Sequence, residues 1–169
     1  MKLIVLAAGY ATRLYPLTQN TPKPLLPVAG RPMLEHVLDC VGAVGGIDET
    51  FIVTNDRFAT HFEQWLATQP AGFACRVVND GSTSNDDRLG AIGDLALVLE
   101  QGGVDDDILV VAGDNLFSEP LAGFGEFCRE HGTPVLGVYD VGTKEEATKY
   151  GVVAVNEVGK LTDFWEKPA

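Results

Sequence analysis

A chain of 169 residues with 46% hydrophobic and 21% charged residues is long enough to bury a core, which argues against a disordered or fibrous protein. Its formal net charge of −12 argues against nucleic acid and anionic membrane as partners, but not against a small anion held by a local cationic patch. The longest apolar runs, such as LIVLAA and ILVVA, fall far short of the ~18 residues that a membrane helix needs.

KLIVLAA at the N-terminus reads as a fully buried strand stopped by Gly9, and it is too short for the apolar part of a signal peptide. A long loop follows. Arg31-Pro32 then opens a helix through MLEHVLDCVGAVG, with Pro32 at a tolerated N-terminal position. TFIVTN is a second strand. DRFATHFEQWLATQ is a helix whose Phe58, Phe62, Trp65 and Leu66 share one face. FACRVVN is a third strand, DGSTSNDDR a polar loop, and LGAIGDLALVLEQ a helix ended by Gly102-Gly103. DDILVVAGD is a fourth strand, PLAGFGEFCREH a helix and TPVLGVYDV a fifth strand. YGVVAVNEVGKLTDFWEKP reads as two strands joined by a turn at Val158-Gly159. Strands that alternate with helices and are continuously apolar predict an α/β fold. It is Rossmann-like, with a mostly parallel sheet and helices on both faces. Ligands in such sheets bind beyond the carboxyl ends of the strands, here after Gly9 and at Gly113-Asp114.

The loop after the first strand is chemically distinctive. The first acidic residue is Glu35, so the first 34 residues hold Lys2, Arg13, Lys23 and Arg31 and none of the 24 carboxylates. An even spread would put about five there. Gly9 lets backbone approach a ligand, and exposed N–H groups can hold phosphate oxygens. Arg13 and Lys23 can neutralise a polyphosphate. Pro16, Pro22, Pro24 and Pro27 stiffen the loop, so less entropy is lost on ordering it around an anion. Two generic phosphate motifs are absent: the glycine spacing is not GxGxxG, and GxxxxGK[ST] occurs nowhere.

LAAGYATRLYPLTQNTPKPLLPVAGRPML, residues 6–34, closely resembles the signature LAAGxGTRLxPLTxxxPKPLxPVxxxPM of the sugar-1-phosphate nucleotidyltransferases, the glucose-1-phosphate thymidylyltransferase and uridylyltransferase group. The resemblance implies a fold of the nucleotide-diphospho-sugar transferase type. It also implies formation of an NDP-sugar and pyrophosphate from an NTP and a sugar 1-phosphate. Leu6, Ala8 and Gly9 then bind the nucleotide, and Arg13 and Lys23 serve the phosphates as catalytic residues. Ala11 stands where the family has a second glycine, which demands a compatible φ or narrows the room over the phosphates.

Three further segments extend the resemblance. VVAGDNLF resembles the family's GDN segment, whose Asp holds a metal; Asp114 is then a Mg²⁺ ligand shared with substrate phosphates, or else the cap of the next helix. TSNDDRLGAIGDL resembles the base-lining segment LGTAGAL. Gly90 would admit the base and the Asn85 amide would read a pyrimidine edge, or the stretch is a polar loop with a helix start. Ala91-Ile92 and Asp94 depart from that pattern. The YG and EKP of the tail resemble the sugar end of the site: Gly151 leaves room for the ring, Glu166 accepts from sugar hydroxyls and Lys167 binds the sugar phosphate as a third catalytic cation.

The remaining residues read as structural. His36, His61 and His131 have no metal-ligand spacing, and Cys40, Cys75 and Cys128 read as reduced thiols of a cytoplasmic protein. Residues 1–169 are expected to be the N-terminal part of a single nucleotidyltransferase domain, because the family runs well past the EKP motif. The second metal-binding Asp would lie in the missing part. A chain cut there would be poorly active and would expose apolar surface that favours a homo-oligomer. Two rival functions remain: a same-fold cytidylyltransferase acting on a non-sugar phosphate such as phosphocholine, and a nucleotide-sugar-binding domain without turnover.

Overall fold

A computed structural model of the chain describes residues 1–168, which fall into two compact units, Met1–Gly132 and Thr133–Ala169. The first unit runs β1 (Lys2–Leu6), β2 (Pro27–Val28), β3 (Arg31–Pro32), α1 (Met33–Gly42), β4 (Glu49–Thr54) and α2 (Ala59–Leu66). It continues through β5 (Cys75–Asn79), α3 (Gly90–Gly102), β6 (Ile108–Ala112) and α4 (Ala122–His131). The second unit holds α5 (Lys144–Ala147), β7 (Gly151–Val155) and β8 (Leu161–Glu166).

Four strands form a parallel sheet in the order β5-β4-β1-β6. Successive side chains of a strand point to opposite faces, and both faces of this sheet are covered. Leu3, Val5 and Ala7 pack with Leu34, Val37 and Val41 of α1 and with Phe62 and Trp65 of α2. Ile4, Phe51 and Val53 pack with Val98 of α3 on the other face. That two-sided burial is why the middle of β1 and of β4 is apolar at consecutive positions, Leu3–Val5 and Phe51–Val53. α3 lies so close to the sheet that a Cβ on Gly102 would stand 2.8 Å from the Phe51 ring. Gly103 ends α3 in the left-handed conformation, φ 60°, as the Gly-Gly pair predicts.

Leu6 pairs with Val53 on one side and Ala112 on the other, so β1, β4 and β6 leave the sheet at the same level. This alignment brings Gly9, Asn55 and Gly113-Asp114 to one edge.

Two expectations need correction. Residues 133–141, TPVLGVYDV, form no strand, and Leu136, Val138 and Tyr139 are exposed. Apolar, β-branched composition favours extended backbone, but a strand exists only through a neighbour's hydrogen bonds, and this segment has none among the described residues. The helix expected to open at Arg31-Pro32 begins at Met33. Both residues form β3, whose antiparallel partner is β2, across a two-residue turn of Ala29 (φ 50°) and Gly30 (φ 86°). The tail does form a hairpin: β7 and β8 pair antiparallel, with Gly159 at φ 78° in the turn. Cys40, Cys75 and Cys128 are free and half-buried, and burial pushes the Cys75 thiol up to about 12.

Candidate active site

The exit of β1 is fixed from below. Ala7 donates its N–H to the Val53 carbonyl at 2.8 Å. The fully buried Asn55 donates from Nδ2 to the Ala8 carbonyl at 2.9 Å, and its Oδ1 accepts the Phe58 N–H at 3.1 Å. Tyr10, also buried, donates its hydroxyl to the Ser82 carbonyl at 2.9 Å. Thr54 Oγ1 donates to the Ala7 carbonyl at 3.3 Å, so the carbonyls of Ala7 and Ala8 are both turned into the protein. The N–H groups of Ala8, Gly9, Tyr10 and Ala11 donate to no protein group among the described residues. Ala8 and Tyr10 are buried while Gly9 between them is exposed, so these amides lie where the turn meets solvent and are free for water or a ligand. A Cβ on Gly9 would meet nothing within 4 Å, so neighbouring atoms do not demand glycine there.

The loop beyond is shaped by short local structure. Ala11 sits at φ 47°, ψ 40°, the left-handed region. Its carbonyl accepts from Leu14 N–H at 3.0 Å and from Thr18 Oγ1 at 2.8 Å. The compatible φ demanded of Ala11 is therefore adopted, with an alanine. A 3₁₀ turn follows at Thr12–Leu14 and another at Lys23–Leu25.

Pro24 packs over Gly113, where a Cβ would stand 3.1 Å from Val5 Cγ1 and 3.2 Å from Pro24 Cγ. This close approach brings Lys23 to Asp114: Nζ donates to Oδ2 at 2.7 Å, with both side chains about one-third exposed. Asp114 caps no helix; α4 starts only at Ala122. Arg13, on the first 3₁₀ turn, is exposed and makes no ion pair among the described residues.

A cavity of about 380 Å³ lies at this edge, lined by Leu6, Ala8 and Gly9 from the β1 exit and by Arg88, Gly90, Ala91 and Asp94 from α3 and its approach. Four of the five expected nucleotide-binding residues, Leu6, Ala8, Gly9 and Gly90, share its wall. Asn85 does not: it is exposed on the preceding loop. That loop is held by Asp87, whose carboxylate accepts from the N–H and hydroxyl groups of Thr83 and Ser84 at 2.8–3.1 Å. Backbone N–H groups of Thr83 and Ser84 stabilise the charged form and lower Asp87 to about 2. Sequence reasoning missed Arg88 and Asn55. The one available signal for Asn55 was a polar residue closing an apolar strand.

Asp94 is 5% exposed, and its carboxyl is raised to about 6 by burial first and then by the neighbouring Asp80. In the second unit Gly151 pairs directly across the hairpin from Glu166. A Cβ on Gly151 would meet the Phe164 ring at 3.0 Å and Glu166 Oε2 at 3.3 Å, so YG and EKP form one local cluster. Lys167, at φ 44°, donates its N–H to the Tyr150 carbonyl at 3.1 Å and stands 3.5 Å from Glu166.

No group of three or more His, Cys, Asp and Glu side chains stands ready for a metal among the described residues. The histidines have other contacts. The His36 ring bonds the Val28 carbonyl, His131 stacks on Phe127, and His61 meets Phe58 edge-on. No helix among the described residues is long and apolar enough to cross a membrane.

Comparison with known proteins gives a consistent picture. The chain is 28% identical over 170 residues to UTP–glucose-1-phosphate uridylyltransferase AglF of Haloferax volcanii, covering 99% of this chain and 65% of that protein. It is 32% identical over 177 residues to mannose-1-phosphate guanylyltransferase 1 of Arabidopsis thaliana, covering 99% and 45%. A UDP-glucose pyrophosphorylase solved with UDP-glucose superposes with a TM-score of 0.82 at 20% identity, covering 99% of this chain and 69% of that one, which establishes the fold. The chain thus spans less than two thirds of the length of these curated relatives. A family model described as nucleotidyl transferase matches residues 2–169, and the chain belongs to that family.

Proposed function

We propose that this chain carries the nucleotide-activating part of a sugar-phosphate nucleotidyltransferase, making an NDP-sugar and pyrophosphate from an NTP and a sugar 1-phosphate. The observation that carries the proposal is the β1 exit. Four consecutive amides have no protein partner there among the described residues, on the rim of a cavity and on the sheet edge that also holds the Lys23–Asp114 pair. Names among the relatives support it: one is a uridylyltransferase and another a guanylyltransferase, both acting on a sugar 1-phosphate. Kinship therefore leaves the base open.

In this reading the amides of residues 8–11 hold phosphate oxygens, and Leu6, Ala8, Gly9 and Gly90 seat the nucleoside. An oxygen of the sugar 1-phosphate attacks the α-phosphorus. The bond to the β-phosphate bridging oxygen breaks, and pyrophosphate leaves with that electron pair. No protein nucleophile takes part; positioning and electrostatics supply the rate. Arg13, a cation without an ion pair among the described residues, binds the triphosphate and stabilises the leaving pyrophosphate. Lys23 neutralises phosphates; within the second unit by itself, Gly151 and Glu166 suit a sugar and Lys167 a phosphate.

Asp114 is a lone, partly exposed carboxylate at a strand exit. That fits a Mg²⁺ that takes its other ligands from phosphates and water, and not a closed protein cage. When bound, the ion offsets charge building on the phosphorus. Lys23, paired to Asp114 at 2.7 Å, offsets the carboxylate's charge and must yield as phosphate and cation enter. NTP and sugar phosphate as substrates imply a cytoplasmic setting.

The test is calorimetric NTP binding with and without Mg²⁺, alongside pyrophosphate release in the presence of glucose 1-phosphate or mannose 1-phosphate. Mg²⁺ should tighten NTP binding about tenfold or more, and Asp114→Asn should remove only that increment. NTP affinity indifferent to both Lys23→Gln and Mg²⁺ would end the proposal. Tight binding without pyrophosphate release would leave a binding domain.

A further inference from the structure

Residues 12–21 carry Arg13, and one side chain ties them to the rest of the protein by hydrogen bonds. Among the described residues, the other hydrogen bonds of this stretch are local. Leu14 N–H donates to the Ala11 carbonyl, Tyr15 N–H to Thr12, Leu17 N–H to Leu14, Gln19 N–H to Pro16, and Thr18 Oγ1 to Ala11. The exceptions come from Arg57, whose guanidinium donates to the Gln19 carbonyl and, at 3.4 Å, to the Tyr15 hydroxyl. Thr18 is buried, but Leu14, Tyr15 and Leu17 are exposed, so packing does little to hold the tip of the loop. Arg57 leaves the turn that joins β4 to α2, where Asn55 accepts the Phe58 N–H and donates to the Ala8 carbonyl. Its guanidinium lies 5.3 Å from the centroid of the buried Phe58 ring. One turn thus grips the loop at its root through Asn55 and at its tip through Arg57.

We propose that Arg57 is a positioning residue: by clasping Tyr15 and Gln19 it keeps the loop ordered, so that Arg13 stands ready for the triphosphate. This deepens the nucleotidyltransferase reading and rests on it. Arg13 lies in the 3₁₀ turn Thr12–Leu14, next to the clasped Tyr15, so a tip that swings out carries Arg13 with it. The guanidinium suits the role. It is planar and always charged, and it can donate to two acceptors while lying over a ring. A lysine ammonium is a point charge that cannot match that plane. A loop held by few contacts opens readily, and a site assembled only part of the time binds with affinity reduced by that fraction. Arg57 raises the fraction without touching the nucleotide. Two exposed hydrogen bonds shift an opening equilibrium by about tenfold. For a loop open about a quarter of the time, losing them raises the open population about threefold and lowers affinity about threefold.

Trypsin reads the loop directly. It does not cut before proline, so Lys23-Pro24 and Arg31-Pro32 resist it, and Arg13–Leu14 is the one bond in the loop that it can take. Without nucleotide, Arg57→Ala should release the fragment ending at Arg13 about threefold faster than the unaltered chain, and Arg57→Lys should fall between. Calorimetry with UTP, dTTP, CTP, ATP and GTP, each with Mg²⁺, then finds the nucleotide that the unaltered chain binds. Arg57→Ala should weaken that affinity about threefold, and saturation with that nucleotide should return its cutting rate to that of the unaltered chain. A guanidinium that touched the nucleotide directly would leave the nucleotide-free cutting rate unchanged. A merely structural loss would speed cutting without lowering affinity. Either result, or protection that saturating nucleotide does not restore, overturns the positioning role while the nucleotidyltransferase reading stands. If none of the five binds an unaltered chain shown by circular dichroism to be folded, both fail.

Discussion

Replacing Asp94 by Asn should stabilise the protein above pH 6 and leave it nearly unchanged near pH 4. The folded state holds the Asp94 proton up to about pH 6, whereas the unfolded chain releases it near 3.8. Between those values the folded state binds more protons, so stability falls as pH rises and the loss is complete above about pH 6. A displacement from 3.8 to about 6 corresponds to about 3 kcal/mol. Asp94 borders a cavity that admits water, which screens the interaction, so we expect about 1–2 kcal/mol. Asn removes the charge and supplies a permanent donor toward Asp80. Urea unfolding of both proteins at half-unit steps from pH 4.5 to 8 isolates the effect, because the other carboxylates cancel in the difference. A difference that stays flat with pH, or an Asn variant less stable at pH 8, would refute the reasoning.

Three other substitutions probe the scaffold of the site. Ala11→Gly relieves an alanine held at φ 47° and should raise stability by about 0.5–1 kcal/mol in denaturant melts, the entropy of glycine offsetting part of the relief. Asn55→Ala strips the Ala8 carbonyl and the Phe58 N–H of buried partners. It should cost about 2–4 kcal/mol and weaken NTP binding; a loss below about 0.5 kcal/mol would show that water replaces it. Gly113→Ala pushes a methyl group toward Val5 and Pro24 and should cost about 1–2 kcal/mol, with lower NTP affinity as Lys23 is displaced from Asp114. Unchanged stability and affinity would mean that the Pro24 contact is slack.

Much of the fold was legible because the code for it is local. Apolar runs of strand length alternate with amphipathic helices, and the parallel sheet follows from that alternation. Residues 133–141 misled because composition reports a preference for extended backbone and says nothing about a partner. The site was legible where a single segment makes it: Leu6, Ala8, Gly9 and Gly90 do meet around one cavity. It was illegible where the fold joins distant segments. Of the four cations in the acid-free stretch, Lys2 pairs with Asp48 and Glu49, and Arg31 pairs with Glu35 and Asp39. Lys23 pairs with Asp114, so Arg13 alone of the four lacks an ion pair among the described residues. Counting charges along the chain cannot reveal such neutralisation. Asn55 and the Asp80–Asp94 contact depend likewise on loops from different strands.

The cavity has two walls of different origin. One is main chain at the end of β1, where most side-chain changes leave the amides as they are. The other is side chains on α3 and the segment that leads into it. Under the proposed function, selection acting on the second wall would exchange one donor nucleotide for another while the reactive phosphates keep their seat. A lineage built on this plan would diversify its products through a handful of positions on one helix and conserve the chemistry through backbone that mutation barely reaches.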